Sequence, residues 1–296
     1  MVPGWRARLV SVMLACALPL GNGATAATPM PPSAATMATT VTTARDDPAV
    51  TGRFRTLWLK LRGEDGFLGK PLADRRCNER RSRCTQRFAG GTITWRTGHP
   101  VAVRATSQTS SVLVVVNKRR PLNPRSYQPA KLRTVKGSNQ RMRPGAARAL
   151  EKLLKAAAAD GNPLGVRSGY RSFATQRSVY ARWVRTYGKA RAERISARAG
   201  YSEHQTGLAV DVLARSGAGR TFASFGRTRQ ARWVARNAHR YGFIVRYQKG
   251  RERITGYAAE PWHLRYVGPA LAKDMKKVGS RSLEEHFGLR AAPRYP

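Results

Sequence analysis

Acidic residues are scarce in this chain. Sixteen Asp and Glu stand against 55 Lys and Arg, a formal charge of +39 with a sequence pI near 11.7. Such a field draws in polyanions: nucleic acid, anionic lipid or the anionic polymers of a bacterial wall. Single arginines scattered between alanines, as at Ala181-Arg182 and Ala190-Arg191-Ala192, equally fit a surface that merely tolerates arginine, and both readings stay open. Recognition-helix patterns, finger spacings and RNP-like motifs are missing, which argues against a specific nucleic-acid reader. Cysteine is nearly absent: three in all, of which Cys16 lies in the first apolar run. Cys77 and Cys84, with no histidine before His99, are too few for a metal site and read as a local disulfide in an exported chain. Histidine is limited to five residues, of which His99, His239 and His286 read as ordinary surface or core side chains. Beyond the first 26 residues no stretch is long and apolar enough to cross a bilayer.

Those first residues look like a secretory signal. Arg6 and Arg8 precede an apolar run from Leu9 to Leu20, and Ala24-Thr25-Ala26 offers small residues for cleavage. Met13-Leu14-Ala15-Cys16 fits a lipoprotein motif poorly. The expected mature protein is therefore secreted or wall-associated. Residues 27–48, rich in Ala, Thr, Pro and Ser, read as a flexible linker. Residues 49–105 form a small β-rich unit that ends in Phe88 to Trp95, where β-branched and aromatic residues alternate as in a strand. From Ser110 a larger domain begins with an apolar strand, Val112 to Val116. A helix is expected from Pro144 to Ala159, stopped by Asp160-Gly161-Asn162-Pro163, and others over 175–187 and 229–241. Strands are expected at 164–168, 210–213 and 243–247. Helices and strands without regular alternation predict an α+β fold, a mixed or antiparallel sheet with flanking helices.

The densest chemical signal is Ser202-Glu203-His204-Gln205-Thr206-Gly207-Leu208-Ala209-Val210-Asp211. A strand from Leu208 fixes Asp211, and Gly207 permits the turn that swings His204 back beside it. Imidazole and carboxylate are good zinc ligands, but two are too few for a catalytic site. Glu260-Pro261-Trp262-His263 supplies a third, His263, with Pro261 expected to stiffen a turn. The fourth position is left for water, and Glu260 stands near it as a base rather than a ligand. Taken singly, these residues would be an ordinary histidine, a turn-capping aspartate and a packing tryptophan. The spaced set points to metal-assisted amide hydrolysis.

Ser-x-His-x-x-Gly-x-Ala-x-Asp followed by Glu-x-Trp-His resembles the signature of the VanY-type D-alanyl-D-alanine carboxypeptidases, in the M15 metallopeptidases. The resemblance runs over about 110–290 and takes in Val115 to Lys118, Leu122 to Pro129 and Ser168-Gly169-Tyr170-Arg171-Ser172 with Gln176. It implies a hedgehog/DD-peptidase-like zinc fold in which His204, Asp211 and His263 bind Zn2+ and Glu260 is the general base. Arg171 would polarise the scissile carbonyl or hold the substrate carboxylate, a role its permanent charge suits. Gln176, Ser202 and Trp262 would line the substrate pocket with Arg171, Trp262 by packing rather than by catalysis. The implied substrate is a peptidoglycan stem peptide that loses its terminal D-Ala. Cleavage of another stem or cross-bridge bond is the close alternative, and a non-catalytic wall-binding protein the alternative from a different class. Gly66 to Pro71 and Phe88 to Trp95 together resemble a single LGFP repeat, which implies wall docking by residues 49–105.

Overall fold

The computed structural model of the chain describes residues 48–61, 63–65, 68–88, 91–99, 101–104 and 107–296. The expected signal segment, 1–26, and all but the last residue of the expected linker, 27–48, lie outside them. Among the described residues no helix is long and apolar enough to cross a membrane.

The first helix, α1 (Gly52–Lys60), packs Phe54 with Leu68, Phe88 and Ile93 into a small core of their own. Four antiparallel strands complete this part in sequence order: β1 (Arg76–Cys77), β2 (Arg83–Phe88), β3 (Gly91–Arg96) and β4 (Ala102–Arg104). The alternating stretch from Phe88 to Trp95 is not one strand. Phe88 ends β2 and pairs with Gly91 at the start of β3, so the two halves of the stretch belong to neighbouring antiparallel strands. Cys77 and Cys84 are direct cross-strand partners, and their sulfurs are bonded.

The larger part starts with a short hairpin, β5 (Arg133–Thr134) and β6 (Arg141–Met142). The next helix, α2 (Pro144–Ala159), follows with Pro at its first position, where a missing N–H costs nothing. Leu150, Leu153, Ala146, Ala147 and Ala157 recur on one face of α2 and are fully buried. They cover a four-stranded antiparallel sheet built from β7 (Leu164–Ser168), β8 (Ala209–Ala214), β9 (Phe243–Tyr247) and β10 (Glu260–Tyr266), in the order β7-β8-β10-β9. Between β7 and β8 runs α3 (Phe173–Ile195), capped by the Ser172 hydroxyl, which accepts from Thr175 N, and kinked at Gly188. Its first stretch ends where expected, at Tyr187: Gly188, at φ 73° and ψ 161°, leaves the helical region, and a second helical stretch follows to Ile195. Short α4 (Phe222–Phe225) leads to α5 (Arg229–Asn237), and residues 238–241 of the expected helix tighten into a 3-10 turn ended by Gly242. Trp233 on α5 donates its indole N–H to Asp160 Oδ2 at 2.6 Å, tying α5 to the end of α2. The remaining helices are α6 (Glu252–Thr255), α7 (Pro269–Lys277) and α8 (Leu283–His286).

Two expectations fail for identifiable reasons. Leu113–Val116 is buried, but Val112 and Leu113 lie in a turn and the segment forms no strand of the three sheets. Val114 and Val116 face the main core, while Leu113 and Val115 face a second core made with α7 and α8. Its carbonyls are satisfied by side chains instead: Arg265 donates to Val112 O and Val114 O at 2.9 and 2.7 Å, and Arg120 to Val115 O at 3.2 Å. The Glu260–His263 segment is not a turn either. It opens β10, and Pro261 falls where the ladder to β9 skips between Glu260 and Leu264, the kind of bulge that spares proline a missing donor.

Gly207 ends the 3-10 turn Glu203–Thr206 in the left-handed region, at φ 68°, where an added Cβ would meet Arg143 Cγ and Leu132 Cδ2, each at 3.1 Å. Gly207→Ala should therefore lower unfolding free energy by about 1–3 kcal/mol, measured by urea denaturation.

Candidate metal centre

The β8 strand is buried on both faces, and Asp211 lies at its middle, directly opposite His263 of β10 in the antiparallel register. His204 comes from the 3-10 turn that feeds β8. One donor atom from each of His204, Asp211 and His263 lies within 4.8 Å of the other two, and all three side chains are buried. His204 Nδ1 lies 2.7 Å from Gly169 O, so it carries the proton and leaves Nε2 a lone pair, 3.3 Å from Asp211 Oδ2. Gly169 must be glycine for this approach, since a Cβ would sit 2.6 Å from Arg141 O. On His263, Nδ1 stands 3.2 Å from Asp211 Oδ1, and Nε2 faces Glu203 Oε2 at 3.5 Å. His204 Nε2 and Asp211 Oδ1 are buried without a hydrogen-bond partner. Two such orphans converging with a second imidazole fit a metal ion, and the donor set suits zinc.

Glu260 Oε2 lies 3.6 Å from His263 Nδ1 and is the fourth acid-base group of the cluster. Burial pushes its carboxyl up to about 8, against the opposing pull of His263 and Arg171. Burial and the neighbouring Arg171 charge hold His204 down at about 4. Burial would also lower His263, but Asp211 and Glu203 outweigh it and lift the imidazole to about 9. Asp211, although buried, is held well below the usual carboxylate range by the two histidines.

The expected pocket residues gather around this centre. A cavity of about 450 Å³ is lined by Arg171, Gln176, Ser202 and Trp262 together with the cluster itself. Gln176 is nearly inaccessible and acts on Arg171: its Oε1 accepts from Arg171 Nη1 at 3.0 Å while its Nε2 donates to Ala197 O at 2.7 Å. Arg171 Nη2 stands 3.8 Å from Asp211 Oδ2, which sets the guanidinium beside the metal ligands. Ser202 is buried in the wall beside His204. Trp262 packs against the core and meets Phe222 with ring centroids 4.9 Å apart at the cavity. His99, His239 and His286 stand outside this cavity.

Sequence reasoning passed over Glu203, Arg246, Arg265 and Glu284. Glu203 Oε1 accepts from Arg246 Nε at 2.9 Å and from Arg265 Nη1 at 2.8 Å, and Arg246 reaches Glu284 with two further bonds of 2.9 and 2.8 Å. Asn117 also donates to Glu284, at 2.9 Å. All four charged side chains are buried, and Glu203 is held well below the usual carboxylate range despite its burial, by Arg246 and Arg265. One signal was available: Glu203 is a carboxylate next to a candidate ligand. Its partners lie 43 to 81 residues away in a sequence full of arginine, so nothing local marks them.

A family model described as VanY, D-alanyl-D-alanine carboxypeptidase, matches residues 139–269. YodJ of Bacillus subtilis (strain 168) is 40% identical over 185 residues, 60% of this chain and 67% of YodJ. The bifunctional D-Ala-D-Ala dipeptidase and D-Ala-D-Ala carboxypeptidase VanXYC of Enterococcus gallinarum is 31% identical over 162 residues, 53% of this chain and 84% of VanXYC. The chain belongs to the VanY carboxypeptidase family. Among solved structures, the LdcB LD-carboxypeptidase is 39% identical with a TM-score of 0.56, covering 61% of this chain and 87% of LdcB. A vancomycin-resistance D,D-pentapeptidase VanY solved with Zn(II) is 32% identical with a TM-score of 0.52, covering 61% of this chain and 99% of that one. Zinc is thus the metal that the cluster of orphaned donors fits by its own chemistry and that a VanY-family structure contains.

With His263 lifted to about 9, the metal-free protein carries that proton at pH 7.5 and must release it when Nδ1 becomes a ligand. Calorimetric zinc titrations in buffers of different ionisation enthalpy should show release of at least one proton, and affinity should rise with pH up to about 9. Glu203→Gln, which leaves all three ligands in place, should weaken zinc about 10–100-fold, read by competition with a chromogenic chelator.

Proposed function

We propose that the chain hydrolyses peptidoglycan stem peptides as a zinc carboxypeptidase, removing the C-terminal D-Ala from D-Ala-D-Ala termini. One observation carries this reading: a non-ligating carboxylate, Glu260, and a fixed cation, Arg171, share one cavity with the His204–Asp211–His263 cluster. Bound zinc would supply a water whose pKa is lowered to about 7 and a Lewis acid for the scissile carbonyl. Glu260, once ionised, takes the proton of the attacking water and delivers it to the leaving amine. Arg171 is held by Gln176 where it can pair with the oxyanion or with the terminal carboxylate, and desolvation in the cavity strengthens either contact. The complete ligand set and base speak against a non-catalytic wall-binding role.

Export follows in this reading from the signal-like residues 1–26, and wall docking from the LGFP-like residues 49–105, with the Cys77–Cys84 bond suited to an oxidising compartment. A second reading rests on the likeness to LdcB and to DacB of Streptococcus pneumoniae, 41% identical with a TM-score of 0.50, the former and a further DacB structure being described as L,D-carboxypeptidases. There the D-Ala removed would come from a tetrapeptide.

Purified protein should shorten a stem pentapeptide by one alanine, seen by mass spectrometry, with activity abolished by chelation and restored by zinc. Cleavage of the tetrapeptide instead would move the assignment to the second reading, and cleavage at an internal bond would make the protein an endopeptidase. Glu260→Ala should keep a full zinc equivalent and lose about 10²–10⁴-fold in kcat. Activity within tenfold of wild type would remove Glu260 as the base.

A further inference from the structure

The cleft does not end at the metal. Its wall on the α3 side is made by Val179, Arg182 and Trp183, and from Trp183 a row of side chains continues through Tyr187 and across the break at Gly188 to Arg191. The rings of Trp183 and Tyr187 are stacked, with centroids 5.5 Å apart and 11° between planes. The Arg182 guanidinium lies 5.2 Å from the Trp183 ring, and that of Arg191 lies 4.5 Å from the Tyr187 ring. The order is cation, ring, ring, cation. Tyr187 is 41% exposed, so the stacked pair presents a ring to solvent. Arg177, Arg185 and Lys189, also on α3, are exposed and add to its positive charge. The helix carries one acid, Glu193, and it is already bound by Arg198 and Tyr180.

We infer that this face of α3 is a docking track for the peptidoglycan strand whose stem peptide occupies the cleft, an inference that rests on the proposed function. Two features select this occupant. The row is continuous with the cavity that takes the peptide, so the polymer attached to that peptide must leave across it or opposite it. Its chemistry is also complementary: peptide-bearing glycan presents apolar sugar faces to stacked rings and free carboxylates to guanidinium forks. Arginine stacked on an aromatic ring is held in place and loses less freedom when it binds an anion.

The test compares wild type with a Tyr187→Ala/Arg191→Glu double variant and with Arg191→Glu alone. Arg236→Glu on exposed α5 surface serves as a control of equal charge change. Binding is measured by co-sedimentation with purified peptidoglycan freed of phosphate polymers, and turnover with a soluble stem pentapeptide. The double variant should bind the polymer about fivefold more weakly, equivalent to roughly 1 kcal/mol, while hydrolysing the soluble pentapeptide at the wild-type rate. Arg191→Glu should lose part of that binding and Arg236→Glu none. Equal loss in Arg236→Glu would reduce the effect to net charge and overturn the track. Unchanged binding by the double variant, or a loss seen only on walls that retain phosphate polymers, would overturn it too. Co-sedimentation needs no turnover, so a wild type that binds but cuts no stem peptide would fail the proposed function and leave the track standing.

Discussion

An ionised carboxylate with no exposure to water, Glu203, is the constraint around which the centre is arranged. Alone in that position it would cost several kcal/mol and would take up a proton instead. Arg246 and Arg265 keep it charged, and Glu284 in turn balances Arg246, so two acids and two bases close on one another without net charge. The ionised Glu203 then offers His263 Nε2 only an acceptor. That fixes the imidazole proton on the far nitrogen and leaves Nδ1 turned toward Asp211 and Glu260. Replacing such a network with apolar side chains need not reduce stability, so its value lies in orientation.

The same logic separates the roles of chemically similar groups. Asp211, Glu203 and Glu260 are three buried carboxylates within one small region, yet their surroundings pull them apart. Asp211 and Glu203 have cationic or imidazole partners that hold them ionised. For Glu260, burial outweighs His263 and Arg171, leaving a basic carboxylate suited to exchanging protons near neutrality.

Much of this was legible in the sequence because it is local. The bounds of α2, β7 and β9 match their expected spans, each set by a proline, a glycine turn or a run of β-branched residues. The His204, Asp211 and His263 set was legible because strand register makes fixed spacing into fixed geometry: β8 and β10 place Asp211 opposite His263. What failed was whatever depended on distant partners. Val112–Val116 has the composition of a central strand, and only the arrival of Arg265, 151 residues beyond Val114, turns its carbonyls away from a sheet. Pro261 argues against a strand until the bulge that shelters it is seen. In a chain with 55 basic residues, Arg246 and Arg265 look like any others.

The bonds from Arg246 to Glu284 tie the metal centre to the last helix of the chain. The ligands end at residue 263, but the charge balance beneath His263 is complete only with α8 in place. Without it Arg246 would be a buried cation with half its counter-charge. Glu203 is held directly by Arg246 and Arg265, and through Arg246 its balance extends to Glu284 on α8. The far end of the chain thus helps to aim a ligand that it never touches.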